Sequence, residues 1–396
     1  MANDLPSSTD VLIVGAGPTG LALANTLQRA AVGHVLIDRL EAGQTTSRAA
    51  VIHAHTLEAL QDLGVSQRLV DAGLKLSRFS IRDRDRVLVN LTFDALPSAF
   101  SFLLMLPQDV TERILAERLV EIGGTVNRGV AAESVDTHGE RARVVVNAGG
   151  KRRTIEARYV VGADGMHSLV RQSAGIAFEG ERYEQSFVLA DVEMDWPLAR
   201  EEVMLFFSPA GLLVVAPLPN GQFRIVAVKD EAPERPDVET VQAILAASGP
   251  ARSIARVQAV SWSSRFRLHH RLATAYRSGP LLLMGDAAHV HSPAGGQGMN
   301  TGLVDSTVLG RLLVKVLKER RPDSTLDLYQ QLRRPAAQRV LEIAGGLTQM
   351  AMTKGAASRL LRNVRLTAVG HLPPVRRRMV MNLSGLSRRA AAQLPL

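Results

Sequence analysis

Two glycine-rich segments far apart in this chain carry residues suited to holding an anionic or electron-rich group. The later one reads Gly285-Asp286-Ala287-Ala288-His289 and continues to Pro293-Ala294-Gly295-Gly296-Gln297-Gly298-Met299-Asn300. An apolar run at 281–284 precedes it, and a helical pattern begins at about Met299. Unpaired backbone N–H groups and the positive end of the helix dipole make such a helix start receptive to negative charge. The earlier segment is Gly15-Ala16-Gly17-Pro18-Thr19-Gly20, directly after Val11-Leu12-Ile13-Val14. Its spacing gives each glycine a task. Gly15 permits a tight turn, Gly17 lets backbone approach a pyrophosphate, and Gly20 allows close contact between helix and strand.

The elements that must position these residues can be read around them. Residues 11–14 are a continuous apolar run of the kind a buried parallel strand needs. Leu21, Ala22, Leu23, Leu27 and Ala30 fit a helix packed on a sheet, and Val35-Leu36-Ile37 a second strand ending at Asp38 and Arg39. Strand, G-x-G-x-x-G, helix, strand and acid predict a dinucleotide site. Asp38 would accept hydrogen bonds from an adenosine ribose, at close to the usual spacing of roughly 20 residues. The fingerprint does not distinguish FAD from NAD. A third loop, Gly162-Ala163-Asp164-Gly165-Met166-His167-Ser168, follows the apolar Tyr159-Val160-Val161. Alone it reads equally well as a local Asp-Gly turn before a helix.

With 396 residues the chain can bury a large core, and two domains are expected. No stretch of about 18 uncharged apolar residues marks a membrane span, and the start of the chain lacks the apolar core of a signal peptide. Cysteine is absent, which removes disulfides, thiolate catalysis and Cys-ligated metals. A cytoplasmic location and a monomer or homodimer are expected. The net charge of +9 is local: nine Lys/Arg and no acid lie from Lys354 onward, leaving 38 residues of each sign elsewhere. Arg359, Arg362, Arg365, Arg376, Arg377 and Arg378 alternate there with Leu, Val and Met. The segment reads as a helical lid, apolar side inward and arginines outward, or as a peripheral membrane or partner contact. Nucleic-acid binding has no supporting motif.

Along the chain the pattern is that of an interrupted α/β domain, α+β overall. A Rossmann-like nucleotide-binding domain is expected over 1–75, 103–178 and 270–345. A mostly antiparallel β-sheet domain is expected over 76–102 and 179–269, and a basic helical segment over 346–396. Strands are predicted at 142–147, 154–161, 203–207, 212–216 and 223–229, with helices near 110–122 and 238–247.

Gly15–Gly20 with Asp38, then Gly162-Ala163-Asp164-Gly165, then Gly285-Asp286 with 293–300, resemble in order and spacing the class A flavoprotein monooxygenases. These are the para-hydroxybenzoate hydroxylase-like family of single-component FAD enzymes, and the similarity covers nearly the whole chain. Ser47-Arg48-Ala49 ahead of His55-Thr56-Leu57-Glu58 looks like the family's flavin-contacting arginine, and Gln108 its second flavin contact. Arg182-Tyr183-Glu184-Gln185 and Ala190-Asp191-Val192 look like its entry into the substrate sheet. The resemblance implies FAD on Gly15, Gly17, Pro18, Thr19, Gly20, Asp38 and Arg39, with Asp286 at the ribityl or pyrophosphate region beside Gly285. It places Gly295, Gly296, Gly298, Met299 and Asn300 along the flavin's pyrimidine side. A positive helix end there stabilises anionic reduced flavin. Pro293 would lie close to the carbon that forms the C4a-hydroperoxide, and Asp164 and Gly165 would serve both FAD and NAD(P)H. NADH or NADPH then acts as a transient co-substrate, and one oxygen of O2 passes to an aromatic or heteroaromatic ring. The larger relatives carry a C-terminal thioredoxin-like domain for which this chain is too short.

For the substrate, the residues say less. Strands 203–207, 212–216 and 223–228 should wall a pocket, with Phe206 and Leu213 on it. Arg224 is either a partner for a carboxylate or phenolate, or an outward-facing arginine on an alternating strand. His53 and His55 lie near the presumed flavin arginine, where one could assist deprotonation of a phenol and one could be a helix-entry residue. His289 and His291 belong to the flavin loop, and no acid or Cys cluster accompanies them, so no metal is expected. Trp196 and Trp262 are the only tryptophans, which excludes the Trp-x-Trp-x-x-Pro signature of flavin halogenases. An epoxidase, a prenyl-chain reductase and a non-catalytic flavin-binding protein remain open.

Overall fold

The computed structural model describes residues 5–43, 49–229, 231–292, 295–353 and 355–395, apart from the side chains of 182–185 and 268. Ser8–Val14 is flanked on both sides by parallel neighbours, His34–Asp38 and Lys151–Gly162, and Leu281–Leu283 adds a further parallel strand. A strand covered on both faces must be apolar throughout, which is why Val11, Leu12 and Ile13 are fully buried. Parallel strands also end at the same edge. Val14 is level with Gly162 and Ile37, and Gly162 with Leu283. All three glycine loops therefore leave the sheet together, although roughly 270 residues separate the first from the last.

Behind that edge the Pro18–Arg29 helix packs on the Gly298–Leu317 helix. The contact is close because Gly302 faces Thr19 and Gly310 faces Thr26, where an added Cβ would lie 2.6 Å from each threonine side chain. Leu21, Leu23, Leu27, Leu303, Leu309, Leu312 and Leu313 are fully buried around this contact. Each such side chain stabilises by about 1.5–3 kcal/mol.

A second, eight-stranded sheet runs in the order His289–Val290, Arg256–Ala273, Phe178–Asp195, Phe223–Val228, Gly211–Pro217, Glu202–Ser208, Arg78–Asp83, Arg86–Thr92. All its pairings are antiparallel except Glu202–Ser208 with Arg78–Asp83. Two strands of 18 residues, Phe178–Asp195 and Arg256–Ala273, form its spine. Through Leu272↔His289 and Arg271↔Val290 the sheet reaches into the third glycine segment itself. The sequence pattern did not reveal a small sheet of Val51–Ile52, Leu103–Met105 and Leu74–Leu76, whose strands have only two or three residues.

Helices Asp327–Ala351, Ala356–Gly370 and Pro373–Leu383 follow, then a 3-10 turn Leu386–Ala392. Arg365, Arg376, Arg377 and Arg378 face outward as expected, but the segment departs from a simple lid with its apolar side inward. Arg362 is buried, donating to Met350 O and Asn363 Oδ1, while Leu360, Leu361 and Val364 are exposed. A buried arginine is tolerated because two acceptors and the face of Phe207, 5.0 Å away, take up its donors and charge. No described helix is long and apolar enough to cross a membrane.

Candidate active site

The three loops and the second sheet enclose one cavity of about 890 Å³, at the upper end of the roughly 300–1,000 Å³ usual for ligand sites. Gly15, Gly17, Pro18, Thr19, Asp38 and Arg39 line one end. Gly15 has φ +106°, and a methyl there would overlap the carbonyl of Ala163, so the turn requires glycine. Gly17 differs: a Cβ would meet nothing within 4 Å, which leaves free space at the uncapped start of the Pro18–Arg29 helix. Gly20 does not face the cavity, because its Cα sits against Gly15 O and seats the helix under the turn. The Asp38 carboxylate accepts from Ala16 N at 2.7 Å and Leu40 N at 2.9 Å.

In the middle of the cavity lie Asp164, Gly165, Asp286 and Gln108. Asp164 Oδ2 accepts from Leu169 N at 2.7 Å, whereas Oδ1 is buried without a partner among the described residues. Burial raises the pKa of this carboxyl against the pull of its hydrogen bonds. Gln108 accepts from Ala49 N at 3.3 Å and donates to Glu112 at 2.9 Å, fixing its amide at the wall. Gly285 stands behind, pressed on Thr19.

Gly295, Gly296, Gly298, Met299 and His53 line the next stretch. Gly296 has φ +61° and lies so near Val51 that no side chain fits. The loop is held from behind by Asn300, which faces away from the cavity wall. Its Oδ1 accepts from His53 N at 2.8 Å, and its Nδ2 donates to Val51 O and Gly296 O, both at 2.8 Å. His53 completes this strut as the residue that opens the Ala54–Ala59 helix, with Nε2 donating to Gly295 O at 3.0 Å. Burial pulls its pKa down to about 4, so the ring is neutral near pH 7 and poorly matched to general-base work. The hydrogen bond to Gly295 O gives this ring a structural use in the loop. His291 also lines the cavity, donates from Nδ1 to Ser292 O at 2.8 Å, and is lowered to about 4 by burial.

Two sets of long-range contacts that the sequence pattern did not show fix the start of the Gly298–Leu317 helix. Gln297 donates to Leu383 O at 2.9 Å and accepts from Arg388 at 2.7 Å, so the C-terminal segment clamps the loop. Deeper, His289 donates to Asp305 at 2.6 Å and Arg333 to the same carboxylate at 2.7 Å, all three residues being buried. Burial opposes ionisation of Asp305, but Arg333 and His289 outweigh it and lower its pKa. Among the described residues no cluster of His, Cys, Asp and Glu could hold a metal ion.

The second sheet gives the cavity a mostly apolar wall of Phe79, Val203, Leu205, Val214, Ala216 and Val226, with Phe266 and Met105, and Arg267 and His269 also line it. Phe206 and Leu213, expected on this wall, point to the opposite face and pack with Trp196, Val241 and Leu245. Side chains alternate along a strand, so choosing the wrong parity moves the whole set to the other side. Nor does Arg224 face outward or offer a free guanidinium. It is 3% exposed, paired bidentately with Asp191 at 2.7 Å, and donates to Ala49 O at 2.9 Å. Its charge is spent on bracing the chain beside the cavity. Arg48 and Pro293, with Ser47, lie outside the described residues, as do the side chains of 182–185.

The family described as FAD binding domain matches residues 8–344 of this chain. The 6-methylpretetramide 4-monooxygenase of Streptomyces rimosus is 37% identical over 387 residues, which are 95% of this chain and 69% of that protein. Pentachlorophenol 4-monooxygenase of Sphingobium chlorophenolicum is 34% identical over 353 residues, 87% of this chain and 65% of that one. The chain thus spans about two thirds of the length of these relatives. The crystal structure of p-nitrophenol 4-monooxygenase from Pseudomonas putida superposes with a TM-score of 0.88 over 98% of this chain and 100% of that one. At 21% identity this is a likeness of fold.

Proposed function

The chain belongs to the FAD-binding-domain family of flavin-dependent aromatic monooxygenases, and from that premise we propose that it hydroxylates a largely apolar aromatic or heteroaromatic molecule. The observation that carries this reading is the single cavity running from the three glycine loops to an apolar wall on the second sheet. When bound, FAD supplies the redox chemistry: hydride uptake from NADH or NADPH, then activation of O2 for transfer of one oxygen to an electron-rich ring.

The protein's own residues provide place, charge and dryness. The open space at Gly17 admits a pyrophosphate to the helix start, and the N–H groups of Ala16 and Leu40 hold Asp38 toward a ribose. Asp164 Oδ1, buried and unpartnered, is supplied for a group of the cofactor. The start of the Gly298–Leu317 helix has no acidic residue in its first turn, so its dipole acts unopposed on negative charge developing in the cavity. Asn300 and His53 keep Gly295 and Gly296 in place for that purpose. Phe79, Val203, Leu205, Val214 and Val226 give the substrate side a largely apolar surface that limits water and suits a flat apolar ring, with Arg224 held in its pair with Asp191 and Arg267 also on the wall.

On this reading 1–75, 103–178 and 270–345 form the cofactor domain, 76–102 and 179–269 the substrate domain, and 346–396 a basic helical segment. The protein works in the cytoplasm as a monomer or homodimer. The test is to purify the chain with FAD and follow NADH and NADPH oxidation with phenols, hydroxypyridines and polyketide aromatics. Oxidation stimulated by one of these, with a hydroxylated product, is expected. Bound flavin that neither nucleotide reduces, with or without substrate, would sink the proposal.

A further inference from the structure

The Ala356–Gly370 helix packs one face on the body of the protein and leaves an apolar face uncovered. On the inner face Asn363 donates to the Asp83 carboxylate, and the Cα of Gly370 lies so close that an added Cβ would be 3.0 Å from Val89. Leu366 and the buried Arg362 complete that contact. The outer face carries Leu360 at 62% exposure, Leu361 at 51% and Val364 at 50%, with Ala357 and Ala368 also exposed. Positions 357, 360, 361, 364 and 368 recur at the helical repeat and form one stripe, which Leu372 extends beyond the helix end. Half of the ten strongly exposed large apolar residues described in the molecule fall between Leu360 and Leu372. Scattered exposed leucines need no explanation, but this concentration does.

The charge around the stripe narrows what could cover it. Arg365, Arg376, Arg377 and Arg378 are exposed beside it, and no acidic residue occurs from Lys354 to the end of the chain. The rest of the sequence is charge-balanced, so the chain's net positive charge belongs to this segment, and its exposed arginines would favour approach by it. A second copy meeting it across a two-fold axis would set these arginines against their own equivalents. A nucleic acid would pair with the arginines and leave the leucines in water.

We propose that this face docks peripherally on an anionic lipid bilayer, the Leu360–Val364 stripe entering the headgroup boundary while the arginines bind lipid phosphates. Apolar burial and charge attraction must both contribute.

The experiment is flotation of the FAD-loaded full chain with vesicles of mixed phosphatidylcholine and phosphatidylglycerol, against phosphatidylcholine alone. Two variants accompany it, Leu360→Ser/Leu361→Ser/Val364→Ser and Arg376→Glu/Arg377→Glu/Arg378→Glu. All six positions are at the surface or its margin and outside the cavity, so flavin content and thermal melting report that folding is kept. The wild type is expected to float with anionic vesicles only, and the serine variant to stay behind. Losing three arginines should weaken partitioning about a hundredfold, from about fivefold per basic residue at such a surface, and the glutamates that replace them should weaken it further. Failure of folded wild type to float, or equal flotation with neutral vesicles, would overturn the proposal. So would a self-association by sedimentation equilibrium that the serine variant abolishes while vesicle binding is absent, which would assign the stripe to a second copy.

Discussion

At the scale of single residues, two glycines of the first loop make opposite demands. Gly15 has a left-handed φ and lies against Ala163, so Gly15→Ala should both destabilise the protein and abolish FAD binding. Gly17 has no neighbour within 4 Å of a would-be Cβ and an ordinary φ of −71°. Gly17→Ala should therefore change the apoprotein's stability by under about 1 kcal/mol, yet weaken FAD binding by tenfold or more in a fluorescence titration. If both variants bound FAD normally, the cradle would lie elsewhere. His53 offers a pH test. Burial lowers its pKa from 6.5 to about 4, so between those values the unfolded chain holds a proton that the folded chain refuses. The stability it contributes is full above pH 6.5 and lost as pH falls toward 4, up to about 3 kcal/mol in all. His53→Gln should flatten that acid limb in melting temperature against pH, leaving the part due to His291. An unchanged limb would show that the ring is not buried as described. Gly15, Gly17 and Asp38 were legible in the sequence because backbone geometry and spacing demand those residue types. His53's role was not, because it depends on a carbonyl 242 positions away.

Among the elements, the parallel strands were the readable part: Val11–Val14 and Leu281–Leu283 are apolar runs that only a doubly covered sheet explains. The substrate sheet was readable as strands but not as faces. In 203–207 and 212–216 nearly every residue is apolar, because one side forms the cavity and the other packs under the Val238–Ser248 helix. With no polar alternation to set parity, Phe206 and Leu213 were assigned to the wrong side. The small strands at Val51–Ile52 and Leu74–Leu76 are too short to carry a period at all. The C-terminal segment announced its charge but not its contacts. Arg388, lowered to about 10 by burial yet still charged at neutral pH, donates to Gln297 at the head of the Gly298–Leu317 helix. Arg388→Met should leave the Gln297 carbonyl buried and unpaired, at a cost of about 1–3 kcal/mol. A faster loss of FAD on dilution is expected with it, whereas release at the wild-type rate would mean the clamp does not reach the cofactor.

The whole molecule is an arrangement for bringing two dissimilar surfaces to one space. One sheet contributes backbone loops and helix ends that suit a charged, flat cofactor, and the other contributes a largely apolar wall. His289–Val290 joins them, since it lies in the last loop and pairs with Arg256–Ala273 of the second sheet. Buried Asp305 locks that junction through His289 and Arg333. Family membership and class of chemistry could be read from three loops, because cofactor contacts are made by short segments of fixed spacing. The substrate could not, because its wall is assembled from eight side chains on several strands that share no local pattern. This cavity joins a reducible flavin to an aromatic substrate so that oxygen is inserted into the ring. That insertion is tested most directly by turnover under isotopically heavy O2 with NADH or NADPH and an aromatic from the panel that stimulates oxidation, the product being weighed by mass spectrometry. One heavy oxygen atom in the new hydroxyl group is the predicted result. Nucleotide consumption that yields only hydrogen peroxide with every aromatic tried, or a hydroxyl oxygen drawn from water, would contradict it.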